Sequence, residues 1–157
     1  MGKVKAGGVV QNTGLALVGV MAVPDQPGVA GAILKTLGQT GLNVQFIVQL
    51  LDLENNAHVV FCVDQDDLSA SLAILGDVKE EIGARAITYQ GDVALVSIFG
   101  PDFRERPGVA GAMFNALAGV GVNILSISTS ISTVSCVVES KDVTLATEAL
   151  REAFDLP

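Results

Sequence analysis

Apolar and polar positions along the chain fall into short blocks whose spacing switches between a strand-like and a helix-like repeat. Leu15–Val23 and Val93–Phe99 are apolar runs rich in β-branched residues, and each reads as a strand. A Pro-Gly pair follows each run, Pro27-Gly28 and Pro107-Gly108. Apolar residues then recur at helical spacing, Val29, Ile33, Leu34 and Leu37 in one place and Val109, Met113, Phe114 and Leu117 in the other. Pro27 and Pro107 suit a first helical turn, where a missing N–H costs nothing. Gly41 and Gly121 suit the residue that stops a helix in a left-handed conformation. A second strand is expected at 43–50 and at 123–130, opened by Asn43 and Asn123.

These blocks are copies of each other. Residues 25–49, DQPGVAGAILKTLGQTGLNVQFIVQ, and 105–129, ERPGVAGAMFNALAGVGVNILSIST, agree at ten of 25 positions at a constant offset of 80. The chain is a tandem repeat. In the first copy Asp52–Ala57 reads as a turn and His58–Val63 as a third strand. Asp66 or Asp67 then caps a helix to about Ile82, with Leu68, Leu72, Leu75 and Val78 inward, and Ala84–Gln90 is a last strand. That order is β-α-β-β-α-β, the ferredoxin-like order. The second copy continues through a strand at Ser132–Glu139. A helix capped by Asp142 follows, with Ala146, Ala149, Leu150 and Phe154 on one face, and the sequence stops before a sixth element. Val4–Val10 has no counterpart in the first copy. A four-stranded sheet left one strand short has an open edge, so this N-terminal strand is expected to complete the second module. The expected fold is α+β: two ferredoxin-like domains with antiparallel four-stranded sheets, at 14–91 and at 92–157 plus 3–11.

Composition narrows the function. Half of the residues are apolar and 17% are charged, so disorder is excluded. Nine basic against seventeen acidic residues give a net charge of −8, with no basic cluster. Nucleic-acid binders neutralise phosphates with Lys and Arg, so neither nucleic acid nor an anionic membrane is an expected partner. Cys62 and Cys136 lie in apolar runs without metal-ligand spacing, and His58 is the single histidine. No metal, cofactor or catalytic triad is expected. The stretch from Pro107 to Val138 holds no charge, yet its Pro, Asn and Gly-Val-Gly interruptions fit a buried helix and strand better than a membrane span. The N-terminal segment lacks the pattern of a signal peptide, which reads as a cytoplasmic chain.

Catalysis finds no nucleophile beside a base and no phosphate loop, since Gly119-Val-Gly121 follows a helix rather than a strand. Binding of a small anionic group fits better. DQPGVAG and ERPGVAG place backbone N–H groups at a helix N-terminus, which receives carboxylates. The competing reading is a plain strand-to-helix turn capped by Asp. Asn43 and Asn123 either hold the turn or meet a ligand, and Gln49 is either a solvent-facing edge residue or an amide contact. A free amino acid matches the scale of such a site.

The phrases VPDQPGVAGAI, GLNVQFIVQ, RPGVAGAMFNALAGVGVNI, SISTS and KDVTLATEALREAF, in this order, resemble a tandem ACT-domain unit, in particular the regulatory region of aspartate kinase. The resemblance implies a non-catalytic ACT pair that dimerises through side-by-side sheets and carries feedback control by lysine, threonine or both. It implies an aspartate kinase catalytic subunit or domain as partner. By position it assigns the effector site to Asp25, Pro27, Gly28, Val29, Ala30, Asn43 and Gln49. Asn123, Ile124 and Ser130 would come from the other ACT domain across the dimer. The chain departs from the family pattern at Gln45, Leu50 and Ile131. The alternative reading is a stand-alone ACT-repeat sensor or oligomerisation protein.

Overall fold

The structure is a computed structural model that describes residues 2–101 and 103–157. In chain order the first half contains β1 (Val4–Lys5), β2 (Gly8–Pro24), α1 (Val29–Gln39), β3 (Gln45–Leu51), β4 (Asn56–Asp64) and α2 (Leu68–Ile82). Then come β5 (Ala86–Phe99), α3 (Val109–Gly119), β6 (Ser126–Thr129), β7 (Thr133–Glu139), α4 (Val143–Ala153) and β8 (Phe154–Asp155). The chain divides into two units, Gly14–Asp92 and Met1–Thr13 with Val93–Pro157. It changes unit inside β2 and inside β5, next to Gly14 (φ 73) and Asp92 (φ 54).

In the unit Gly14–Asp92 the strand order is β3-β4-β2-β5, with β4 antiparallel to both β2 and β3. Alternate residues of the central strands, Ala16, Val18, Val20, Ala57, Val59, Phe61 and Val63, join Ile33 and Leu37 of α1 and Leu75 of α2 in one core. Removing each of the larger side chains from water contributes about 1.5–3 kcal/mol, and together they fix which face of the sheet the helices cover.

The other unit repeats the plan. β7 lies antiparallel between β5 and β6. The N-terminal segment supplies the remaining partners: β1 pairs in parallel with β8, Ala6 N–H donates to Asp155 O at 3.0 Å, and Gly7 N–H donates to Phe99 O at 2.6 Å. Gly7 and Gly8 admit the Phe99 ring so closely that a Cβ on either would lie 2.9 Å from it. The core gathers Val96, Ile98, Met113, Leu117, Cys136, Val138, Ala146, Leu150 and Phe154.

Several local expectations are corrected. Both Pro-Gly pairs lie ahead of their helices rather than in the first turn. Pro27 and Gly28 are the middle of a turn closed by Val29 N–H to Gln26 O at 3.4 Å, with Gly28 at φ 94 and ψ 0, the type II arrangement. Asn43 and Asn123 stay outside β3 and β6. The chain there is still leaving the helix, with Leu42 N–H returning to Leu37 O and Val122 N–H to Leu117 O. No side chain caps α2 or α4, because 3-10 turns at Gln65–Asp67 and Ser140–Asp142 already occupy the first N–H groups. Phe154 leaves the face of α4 for β8, where it is buried beside β1. The strands expected at 84–90 and 93–99 are one strand, β5.

The repeats differ between strand and helix. In the first, β2 runs to Pro24, next to Pro27. In the second, β5 stops at Phe99 and the chain makes a 3-10 turn over Phe103–Glu105 before Pro107. Phe103 is buried, and its ring lies so close to Gly100 that a Cβ there would sit 2.7 Å away.

Candidate effector site

The exposed turn from Asp25 to Gly28 delivers the chain into α1. Gly28 is the N-cap residue, no side chain caps the helix, and no acidic residue lies in its first turn. The N-terminal N–H groups of a helix lack intrahelical acceptors and carry a partial positive charge. Left without a capping side chain, they are suited to a carboxylate. A cavity of about 420 Å³ opens beside the turn, lined by Pro24, Gln26–Val29 and Ala32 and by Glu80–Gly83 at the end of α2. The mouth thus has the turn into α1 on one wall and the end of α2, with Glu80 and Glu81, on another. In the second repeat Gly108 has φ 86 and ψ 3, and α3 is likewise uncapped.

The sequence-assigned residues are distributed as follows. Asp25, Pro27, Gly28, Val29 and Ala30 form the one turn just described. Asn43 is exposed just past the other end of α1, roughly 16 Å along the helix at 1.5 Å per residue. Gln49 is exposed on β3 and stands opposite Val59, which pairs with Val20 on the far side. Directly opposed residues share a face, so Gln49 lies on the helix-covered side of the sheet, at its edge. Within the other unit, exposed Asn123 and half-buried Ile124 precede β6, and exposed Ser130 follows it, its N–H donating to Thr133 O at 2.8 Å. Gln45 is engaged, its amide donating to Asp64 Oδ1 at 2.9 Å.

Sequence reasoning missed the polar pair that holds the turn. Asp52 and His58, Oδ2 to Nε2, are 2.9 Å apart, and Asp52 Oδ1 accepts the N–H groups of Glu54 and Asn56 at 2.8 and 3.0 Å. The His58 hydrogen bond foremost, then those of Asn56 and Glu54, hold the Asp52 carboxyl below its ordinary value. The signal in sequence is weak: one histidine in an apolar strand, facing a bulge that no residue pattern announces. Among the described residues no cluster of three or more His, Cys, Asp or Glu is placed to hold a metal, and no helix is long and apolar enough to cross a membrane.

Two ACT-domain models match the chain, over residues 18–82 and 96–154. The regulatory subunit of aspartate kinase from Thermus flavus superposes with a TM-score of 0.87 at 31% identity, covering 96% of this chain and 99% of that one. The chain belongs to the ACT-domain regulatory regions of aspartate kinase. Aspartate kinase of Pseudomonas fluorescens (strain SBW25) is 40% identical over 149 residues, which is 95% of this chain and 36% of that protein. The aspartate kinase of Synechocystis superposes with a TM-score of 0.89 at 33% identity, with 97% of this chain matched to 28% of that one. The chain therefore spans about a third of the length of the curated aspartate kinases it matches, and nearly the whole of the Thermus regulatory subunit.

Proposed function

We propose that this chain is the feedback-regulatory part of an aspartate kinase: a non-catalytic ACT pair, cytoplasmic, that binds lysine or threonine and adjusts a catalytic subunit or domain. The observation that carries the reading is the uncapped turn at Asp25–Ala30, with its cavity, in a chain that covers an aspartate kinase regulatory subunit end to end. The α-carboxylate would take the N–H groups of α1. Asp25, Glu80 and Glu81 would face the ammonium groups, and a second ammonium, as in lysine, gains from the same carboxylates. Gln49, with Asn123, Ile124 and Ser130 of a second copy, would complete the enclosure, and Asn43, past the other end of α1, would act at most through the path of the chain into β3. A homodimer is supported by β3, which ends its sheet and exposes Ile47, Leu50 and Leu51, followed by Leu53 at 104%. An open, apolar edge strand calls for a partner. Ligand held between copies would favour one dimer arrangement, and a coupling of about 1–3 kcal/mol gives useful inhibition.

The test is thermal stability of the purified chain against each of the twenty amino acids. A ligand at a hundredfold excess over Kd stabilises by about 2.7 kcal/mol. A rise confined to lysine or threonine, lost in Gln49→Ala and kept in Asn43→Ala, supports the assignment, and retained affinity in Gln49→Ala removes that residue from the site. A rise with a different amino acid replaces the aspartate-family effector by another, as the departures at Gln45, Leu50 and Ile131 would permit. No response from any of the twenty, with the catalytic partner present, overturns the effector reading.

A further inference from the structure

Between the pairs Val20–Val59 and Val23–Ala57, β2 carries two residues, Met21 and Ala22, against the single His58 of β4. Ala22 has φ 54, in the left-handed region that side chains disfavour. A bulge leaves one residue outside the ladder, and its N–H needs another acceptor. Met21 O accepts from Arg85 N–H at 3.0 Å, and Ala22 N–H donates to His58 Nδ1 at 3.2 Å. With Nδ1 accepting, the ring proton sits on Nε2 and is donated to Asp52, so the two partners set the tautomer between them.

The same β3–β4 turn holds the chain again three residues later. Pro24 is registered with Asn56, and Asp25 N–H donates to Asn55 O at 3.2 Å. Asn55 itself has φ 62, a conformation kept in place by the Asp52 hydrogen bonds on either side of it. Bulge and turn stem are thus pinned at two points immediately ahead of Asp25–Ala30, one by the His58 side chain and one by the backbone of the β3–β4 turn that Asp52 organises. The hydrogen bonds of the relay join the stem of the turn to the end of β3 and the start of β4.

We infer that His58 and Asp52 are positioning residues for the effector turn: the Asp52–His58–Ala22 relay sets the geometry in which the turn presents its N–H groups. The link from turn geometry to amino-acid binding rests on the effector reading above, whereas the link from relay to turn does not.

Three substitutions separate the two halves of the relay. His58→Asn keeps an amide oxygen near the place of Nδ1 but cannot reach Asp52. His58→Gln reaches Asp52 but offers Ala22 no acceptor. Asp52→Asn retains an oxygen for the turn N–H groups while its amide donors favour the other imidazole tautomer, whose Nδ1–H opposes Ala22. Amide hydrogen exchange of the intact chain reads the turn without ligand, and calorimetric titration with lysine and with threonine reads binding. The expected result is exchange at Ala22 and Asp25 faster by tenfold or more in His58→Gln and Asp52→Asn, with affinity weakened about five- to twentyfold. In His58→Asn both stay near the parent. Equal behaviour of His58→Asn and His58→Gln, or parent-like exchange in both His58→Gln and Asp52→Asn, overturns the inference. If the parent binds neither amino acid, the effector reading fails in its stated form, and the exchange data still decide whether the relay positions the turn.

Discussion

Gly28 and Gly108 hold the same left-handed conformation, φ 94 and ψ 0 in one and φ 86 and ψ 3 in the other, each as the residue that opens a helix. A Cβ on either would meet nothing within 4 Å. The requirement for glycine is therefore conformational rather than steric. Gly28→Ala and Gly108→Ala are each expected to cost about 1–2 kcal/mol from the left-handed backbone alone, measured by chemical denaturation. Gly28→Ala should also abolish the stabilisation by amino acids, because any relaxation of φ turns the first N–H groups of α1 away from the site.

Removal of residues 2–13 tests what the N-terminal segment does. It deletes Val4, Ala6 and Val9 from a core and strips β8 and Phe99 of backbone partners. The loss is expected to reach about 3 kcal/mol or more, from the apolar burial alone. Hydrogen exchange should rise in β7, α4 and the part of β5 after Asp92, while β3, β4 and α1 keep their protection. Uniform loss across the chain would contradict this division.

Acid should act through Asp52. Its carboxyl is held below the ordinary value of 3.8, chiefly by His58, so the folded state binds that proton less readily than the unfolded chain. The stabilisation is complete above the unfolded value and disappears as pH falls through the lowered folded value. Melting temperature followed from pH 6 down to pH 2 should therefore fall less steeply in Asp52→Asn than in the parent, with the two curves converging at the acid end.

The two thiols should be inert while the chain is folded. Cys62 and Cys136 are fully buried in opposed strand pairs, and burial pushes both up to about 12. The thiolate is the reactive form. Labelling with an alkylating reagent at pH 7.5 is expected to modify neither in native protein and both in denaturant. Rapid native labelling of either would show local opening of its sheet.

Periodicity made the helices readable, since Ile33, Leu37, Met113 and Leu117 are buried as their spacing requires. The N-terminal strand was readable only in part: Val4–Val10 and Leu15–Val23 read as separate strands, whereas Val4–Lys5 forms a short parallel pair with β8 and Gly8–Pro24 runs as one strand, β2. What stayed hidden depends on single backbone angles. Asp92 at φ 54 lets one strand run through a polar stretch that looks like a break, and Ala22 at φ 54 creates the bulge that gives His58 its work. Alanine and aspartate announce neither. The Pro-Gly pairs mark turns, though ahead of the helices rather than in their first turns, and Asn43 shows that identity between copies also marks the far end of the helix, where the chain must leave α1.

A tandem duplication begins as two equal halves, and the short turn at Phe103–Glu105 makes these halves unequal. By setting an aromatic ring under Gly100, it commits the second copy to its own architecture. Opening that loop would return Phe103 to water at a cost of about 2 kcal/mol. The first copy bears no such burden. Within a single polypeptide, two turns of the same backbone conformation thus hang from connections of different length and burial, so that a change in one connection need not be matched in its duplicate.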